Sequence, residues 1–245
     1  MPLVWMRQPL DDAAGRAGGS TRSRSLSRPA ATLRRMTVVF LLDADNTLLD
    51  NDAAKDAIEE RIRALLPAGE DVRFWELYEA IRAEKDYVDL PATVARFAGE
   101  HPGRAALTLL PMLEAFPYAD HLYPGALAVL AGLRRLGPVA ILSDGDPVFQ
   151  PSKIERSGLG AAVDEVFVYA HKDRMLDDVL TRLPAARHVF VDDRAVILAR
   201  IKERLGAGAV TVQVRQGHFA AEPALPPPDR VIARIMDLGP LAPSL

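Results

Sequence analysis

The segment FLLDADNTLLD, from Phe40 to Asp50, places two carboxylates directly after an apolar run. Asp43 and Asp45 are two positions apart, and Asn46 and Thr47 follow them. Carboxylates crowded together at the end of a buried segment repel each other and lose hydration. We therefore expect a positive group, either a metal ion or a basic side chain, to lie between them.

Polar residues suited to the same chemistry follow three later apolar runs. They are Ser143 and Asp144 after PVAIL (138–142), Lys172 after EVFVYA (165–170), and Asp192 and Asp193 at the end of HVFVDD (188–193). Runs of this kind are typical of strands buried on both faces of a parallel sheet. Because ligands bind at the carboxyl ends of such strands, we expect all these side chains to meet at one edge.

The order of apolar runs and helical patterns predicts an α/β fold, a doubly wound parallel sheet of Rossmann type. The predicted strands are 37–42, 138–142, 165–170, 188–193 and 209–214, and 230–238 is predicted as a last short helix. Between them, residues 51–119 show only helical patterns broken by proline. We therefore predict a catalytic core of residues 36–50 and 120–245, with 51–119 inserted as a helical cap.

The first 35 residues have the composition of a disordered extension. They hold seven Arg and two Asp, a balance of +5, so the rest of the chain carries −8 of the total of −3. A targeting segment, a basic binding arm, or a true start at Met36 would also fit. The acidic body argues against nucleic acid as a partner, and no apolar stretch is long enough for a membrane span. We expect a cytoplasmic monomer or homodimer.

Several of these residues also have simpler interpretations. Asp43 and Asp193 could cap the helices that follow them, and Ser143 could be a turn residue. Lys153 competes with Lys172 for a place at the strand ends, but its position inside a predicted helix favours a solvent-facing side chain. Four aromatic residues of the insertion could form its own core or face the cleft; they are Trp75, Tyr78, Tyr87 and Phe97.

Taken together, residues 37–239 resemble the haloacid dehalogenase-like hydrolase superfamily, whose members are mostly phosphatases. The family's motif D-x-D-x-T matches the segment from Asp43 to Thr47, and its later motifs match Ser143, Lys172 and the pair Asp192–Asp193. One of these motifs alone has little specificity. All four in order, each at a predicted strand end, make the resemblance strong.

The resemblance implies Mg²⁺-dependent hydrolysis of a small phosphate monoester through an aspartyl-phosphate. In that interpretation Asp43 is the nucleophile, Asp45 the general acid and base, and Lys172 the cation that neutralises the phosphoryl group. Thr47, Ser143 and Asp144 would bind substrate, and the metal would be held by Asp43, Asp192, Asp193 and the backbone carbonyl of Asp45. A phosphotransferase or phosphomutase, or a non-catalytic binding member of the family, is the alternative.

Overall fold

We analysed a computed structural model of the protein, which describes residues 36–103 and 106–245. The interpretation of residues 1–35 as a disordered extension falls outside the described residues. Those that are described belong to one compact unit. The boundaries between a core and a helical cap therefore stay a prediction.

A six-stranded, wholly parallel sheet forms the centre of the described chain, in the order β3-β2-β1-β4-β5-β6. The strands are β1 (Met36–Leu42), β2 (Val139–Asp144), β3 (Glu165–Tyr169), β4 (Ala185–Asp192), β5 (Ala209–Val214) and β6 (Arg230–Ile232). Strand order reverses next to β1, which lies between β2 and β4. The predicted doubly wound α/β fold is confirmed.

One predicted element is wrong. Residues 230–238 were expected to form a helix, but Arg230–Ile232 is the edge strand β6, paired with β5. A 3₁₀ turn, Ile235–Asp237, and a single helical turn follow. The β-branched Val231 and Ile232 fit a strand, and pairing with an existing edge outweighs the weak helical pattern of so short a segment.

Helices flank the sheet and fill the segment between β1 and β2. They are α1 (Asn51–Leu65), α2 (Glu70–Lys85), α3 (Leu90–Glu100), α4 (Ala106–Glu114), α5 (Ala126–Leu133), α6 (Phe149–Arg156), α7 (Leu159–Ala162), α8 (Leu176–Arg182), α9 (Ala195–Leu205) and α10 (Leu238–Leu241). A short loop joins the D-x-D segment, Asp43 to Asp45, to helix α1, which begins at Asn51. At this end of the helix the Asp50 carboxylate accepts a hydrogen bond from the Ala53 N–H. This cap fixes the direction in which the chain leaves the sheet.

The sequence of strand β1 is continuously apolar because both of its faces are buried. Val39 and Leu41 pack into the hydrophobic cluster on one face of the sheet, whereas Phe40 and Leu42 pack into the cluster on the other. Successive side chains of a strand point to opposite faces, so a strand covered on both sides needs apolar residues at every position. Burial on both faces holds the carboxyl end of β1, and hence Asp43, in a fixed place.

The helical segment between β1 and β2 packs onto the sheet through the same cluster as Phe40. Phe74 and Phe97 are fully buried there, with their ring centroids 5.6 Å apart. Phe97 therefore follows the simpler interpretation, in which the aromatic residues form the core of the insertion. Among the residues described, no helix is long and apolar enough to cross a membrane.

Candidate active site

Asp43, directly after β1, is paired with a buried lysine. Its Oδ1 lies 2.5 Å from the Nζ of Lys172, and the same Nζ lies 2.6 Å from Oδ2 of Asp192. All three side chains are almost completely buried. Lys172 belongs to a 3₁₀ turn just after β3, so its stem reaches across the strand ends to β1 and β4. A positive group is therefore present beside Asp43, but it does not lie between Asp43 and Asp45 as expected, because Asp45 is paired with a different lysine, Lys153.

A third carboxylate completes an acidic cluster. Oxygen atoms of Asp43, Asp192 and Asp193 lie within 4.8 Å of one another. Oδ2 of Asp193 is buried and has no hydrogen-bond partner among the described residues, whereas Oδ1 of Asp192 accepts the N–H of Arg194. Three clustered carboxylates, one with an unsatisfied oxygen, fit a hard divalent cation. The side chain of Asp45 lies outside this cluster.

Burial sets the protonation of the cluster. It raises the pKa of Asp43 to about 8, against the opposing effect of Lys172 and with a contribution from Asp192. Burial also raises the pKa of Asp193 to about 9, and Asp192 and Asp43 add to that increase. Burial alone would lower the pKa of Lys172, but Asp192 and Asp43 raise it above its ordinary value. The cluster thus favours a charged lysine and resists a third negative charge.

Asp45 is held by a second lysine. Its Oδ1 lies 2.6 Å from Nζ of Lys153, and its Oδ2 accepts a hydrogen bond of 3.1 Å from Nε2 of Gln150. Lys153 also donates to Oδ1 of Asn51 at 2.6 Å. Because Lys153 is only 6% exposed, the expectation that it faces solvent is wrong. Helix α6 turns the face carrying Gln150 and Lys153, three positions apart, towards the D-x-D segment.

Ser143 and Asp144 support these two lysine sites. The Ser143 hydroxyl accepts a hydrogen bond of 3.0 Å from Nε2 of Gln150, the amide that also binds Asp45. Oδ1 of Asp144 accepts the backbone N–H of Lys172 at 2.7 Å, which fixes the start of the turn carrying that lysine. Burial raises the pKa of Asp144. Both residues therefore lie beside the predicted site and position its neighbours.

Thr47 and Asn46 shape the loop after Asp45. Asn46 has a left-handed backbone, with φ of 56°, and its Oδ1 accepts the N–H groups of Asn51 and Asp52 at the start of α1. Thr47 is fully buried, and its hydroxyl has no partner among the described residues. A Cβ at Gly217 would lie 2.4 Å from the Asn46 side chain, so that glycine is needed for the loop to pack.

A cavity of about 820 Å³ opens between the strand ends and the helices of 51–119. Asp45, Asp144 and Lys153 line it on the side of the sheet. Trp75 and Tyr78 line it from α2, and Tyr87 from the segment that follows. Three of the four aromatic residues therefore face the cleft, and only Phe97 belongs to the buried core.

Comparison with known proteins identifies the family. The family model for haloacid dehalogenase-like hydrolases matches residues 37–199. A protein from Burkholderia xenovorans described as a haloacid dehalogenase-like hydrolase is 42% identical, with a TM-score of 0.79. The match covers 85% of this chain and 97% of that one. The chain belongs to the haloacid dehalogenase-like hydrolase family. It is therefore classed with hydrolytic enzymes.

More distant solved structures share the fold of this hydrolase. An L-2-haloacid dehalogenase from Xanthobacter autotrophicus, with chloropropionic acid covalently bound, is 20% identical, with a TM-score of 0.57. That match covers 86% of this chain and 99% of the dehalogenase. A hydrolase from Bacillus subtilis bound to magnesium is 17% identical, with a TM-score of 0.57, and covers 84% and 99%. No curated protein matches this chain.

These relatives correct the function expected from the sequence. Hydrolysis of a phosphate monoester through an aspartyl-phosphate is contradicted, because the similar solved structures include several L-2-haloacid dehalogenases. The correction extends to the phosphotransferase alternative, which used the same aspartyl-phosphate. The prediction relied on Asp45 as a free proton donor, and the structure places that carboxylate between Lys153 and Gln150.

Proposed function

We propose that this hydrolase removes a halide ion from a small 2-halo carboxylic acid, with Asp43 as the nucleophile. The observation that carries the proposal is the state of Asp45, both of whose oxygens accept hydrogen bonds from α6. An alkoxide leaving group needs a proton from a nearby acid, and Asp45 is the acid that the D-x-D spacing would supply. A halide leaves without a proton, so an engaged Asp45 is compatible with that reaction.

The surroundings of Asp43 suit a carboxylate nucleophile once it is ionised, which its pKa of about 8 favours at alkaline pH. Its side chain is only 7% exposed, so few water molecules hydrate the attacking oxygen. Lys172 at 2.5 Å compensates the negative charge and fixes the direction of the carboxylate. Asp192, on the other side of the ammonium group, holds Lys172 in place. The dehalogenase of Xanthobacter autotrophicus, in which chloropropionic acid is covalently bound, is a precedent for a covalent adduct with a haloacid in the same fold.

The reaction would proceed in two steps. An Oδ atom of Asp43 forms a bond to C2 of the acid, and the carbon–halogen bond breaks with its electron pair leaving on the halide. Water then adds to the Cγ of Asp43 in the resulting ester. Cleavage of the bond between Cγ and the ester oxygen releases a 2-hydroxy acid and regenerates the carboxylate. The net reaction consumes one water molecule and releases a halide ion and a proton.

We also propose that Mg²⁺ binds the acidic cluster. Asp43, Asp192 and Asp193 offer oxygen ligands, and the unsatisfied Oδ2 of Asp193 fits a cation. When bound, Mg²⁺ would supply positive charge that reduces the repulsion between Asp43 and an anionic substrate. Asp193 is therefore the residue with which to test metal binding.

The test is halide release from 2-chloropropionate and 2-bromopropionate, assayed separately for each enantiomer. The wild-type protein should release halide and 2-hydroxypropionate in equal amounts, and Asp43→Asn should lose at least about a thousandfold in rate, as expected for a removed nucleophile. Asp56→Asn is the matched control, because Asp56 is an exposed residue of α1. It should retain the full rate.

A single-turnover reaction in ¹⁸O-water tests the covalent step. With enzyme in excess, the first product should carry unlabelled oxygen from Asp43, and the label should appear in the Asp43 carboxylate. Label in the first product would mean direct attack by water. Phosphate release from phosphate esters, with no halide released from any haloacid, would overturn the proposed function.

A further inference from the structure

We propose that the preferred substrate carries a second anionic group, bound by Lys55 in the wall of the cavity. The inference rests on the proposed function and adds the substrate class, a 2-halo dicarboxylic acid. It comes from the charges that line the cavity, from the contacts of Lys55, and from the size of the space.

The carboxylates that line the cavity are already engaged. Three of the six form ion pairs with cations of the same wall, namely Asp45 with Lys153, Glu79 with Arg82, and Asp173 with Arg200. Asp86 lies 3.2 Å from the His171 ring. Asp144 and Asp146 accept backbone N–H groups. No carboxylate of the wall therefore remains without a donor.

Three cations of the cavity wall have no carboxylate partner. Within the described part of the chain, no carboxylate pairs with Lys55, Arg174 or Arg194, although all three line the cavity. Arg194 directly follows Asp193 at the carboxyl end of β4, and its guanidinium group lies 4.5 Å from the ring centroid of Phe219. Arg194 is the unpaired cation of the wall that follows the acidic cluster in sequence, and we assign to it the carboxylate next to the reacting carbon. The wall holds six cations and six carboxylates, but these three cations have no carboxylate partner and can therefore bind the negative groups of a substrate.

Lys55 is the unpaired cation of the wall that α1 contributes. It lies one helical turn after Asn51 on α1, on the face that carries the contact with Lys153. Its Nζ lies 5.7 Å from the Trp75 ring centroid and 5.8 Å from that of Tyr78. The two rings meet edge to face, with centroids 5.2 Å apart. They hold the ammonium group by cation–π attraction and leave its N–H donors for an anion.

The size of the cavity agrees with a longer substrate. Its volume of about 820 Å³ lies in the range that pockets for drug-sized ligands occupy, roughly 300–1,000 Å³. A three-carbon haloacid would leave most of that space to water. An acid that extends from the strand ends, where Asp45 and Asp144 line the cavity, past the apolar rings of Trp75 and Tyr78 would fill more of it and bring a distal carboxylate to Lys55.

Halide release from matched acids tests the inference. The probes are 2-bromo dicarboxylic acids of four, six and eight carbons, each compared with the 2-bromo monocarboxylic acid of equal length. For at least one length, the wild-type kcat/KM should favour the diacid by about tenfold, the effect of one charge-assisted hydrogen bond. Lys55→Met should abolish that preference while the monoacid rate stays within about twofold.

Lys85→Met is the control for loss of one positive charge. Lys85 ends α2 but is bound to Asp89 at 2.5 Å, so its replacement should keep the preference. Diacids that are no better than monoacids at every length would overturn the inference and leave the dehalogenase proposal standing. Equal loss of preference in both variants would also overturn it, because the effect would then be one of general charge.

Binding of acids without halogen separates the two proposals. The chain has two Trp residues, Trp5 and Trp75. In a Trp5→Phe background, Trp75 fluorescence should therefore report on the Lys55 site. The unbrominated diacid of the preferred length should bind at least about tenfold more tightly than its monoacid, and Lys55→Met should remove the difference. Where no haloacid is turned over, the four-, six- and eight-carbon diacids are all titrated. Lys55-dependent binding would then reject the dehalogenase proposal and keep the second-anion site.

Discussion

Two buried lysines bind the two aspartates of the D-x-D segment, and their surroundings differ in charge. Lys172 lies between Asp43 and Asp192, with Asp193 beside them, so three carboxylates share one ammonium group. Lys153 has one carboxylate partner, Asp45, and one neutral amide. The first group is negative in excess, and the second is balanced.

This difference in charge suggests a catalytic role for the Lys172 group and a structural role for the Lys153 group. The Lys172 group keeps a raised pKa at Asp43 and an unsatisfied oxygen at Asp193, features that cost stability and occur at sites built for reaction. The Lys153 group satisfies both oxygens of Asp45 and connects α6 to the start of α1. It thereby fixes the loop on which Asp43 is carried. Replacing each lysine by methionine, which has a similar length and no charge, measures the difference.

Lys172→Met should have the largest effect on stability. It would leave three buried carboxylates without their cation, and removal of one partner from a buried ion pair costs about 3–5 kcal/mol. We expect the free energy of unfolding, measured by urea denaturation in EDTA at pH 7.5, to fall by about 4 kcal/mol. Lys85→Met, which removes a solvent-exposed ammonium group, should lower it far less. A loss in Lys172→Met as small as that expected of Lys85→Met would show that the acidic cluster needs no cation.

Lys153→Met should have a smaller effect. The Asp45 side chain is 30% exposed, so water can replace part of the lost pairing. We expect a loss of about 2 kcal/mol in the same urea experiment, the cost of an unsatisfied charged group that stays partly hydrated. The double variant Lys153→Met/Asp45→Asn should recover part of that loss, because it removes the unpaired charge. A loss as large as that of Lys172→Met would contradict the comparison.

The sequence predicts the Lys172 group but not the Lys153 group, and the reason is geometric. Strand-end residues of a parallel sheet must meet at one edge, so the positions of Asp43, Lys172 and Asp192 follow from strand order alone. The direction of a helix face depends on how the helix packs, which no short motif encodes. The only available signal was the three-residue spacing of Gln150 and Lys153, which places them on one face of α6.

The same distinction holds for the fold: long buried strands are predictable from the sequence, but features that depend on tertiary packing are not. Long apolar runs such as 37–42 and 209–214 predict strands because few other structures bury every successive side chain. The three-residue strand β6 and the exposed or buried status of single aromatic residues depend on tertiary contacts. The split between Phe97, in the core, and Trp75, in the cavity wall, is decided by the rotation of α2 and α3 against the sheet. Neither rotation is visible in the sequence.

Asp193→Asn should give a pH-dependent gain in stability. Burial raises the pKa of Asp193 from its ordinary 3.8 to about 9, so the folded protein favours the protonated form. The wild-type protein therefore has its full stability from this group below about pH 4 and loses it as the pH rises towards about 9. Asparagine copies the neutral form at every pH. In EDTA, the variant should nearly match wild type at about pH 4, and its advantage should grow steadily as the pH rises towards 8.

Magnesium should reverse that order, because a bound cation satisfies the carboxylate that is otherwise costly. At pH 8, Mg²⁺ should raise the Tm of the wild-type protein in a concentration-dependent way, since a ligand that binds only the folded state stabilises it by about 2.7 kcal/mol at a hundred times its Kd. Asp193→Asn should respond much less, and sodium chloride at matched ionic strength should move neither Tm. Equal responses of the two proteins to Mg²⁺ would exclude Asp193 as a ligand.

The pH experiment in EDTA has its own contradicting outcome. A stability difference between Asp193→Asn and wild type that does not change between pH 5 and pH 8 would mean that Asp193 carries no raised pKa. The contrast between the two lysine groups would then rest on Asp43 alone.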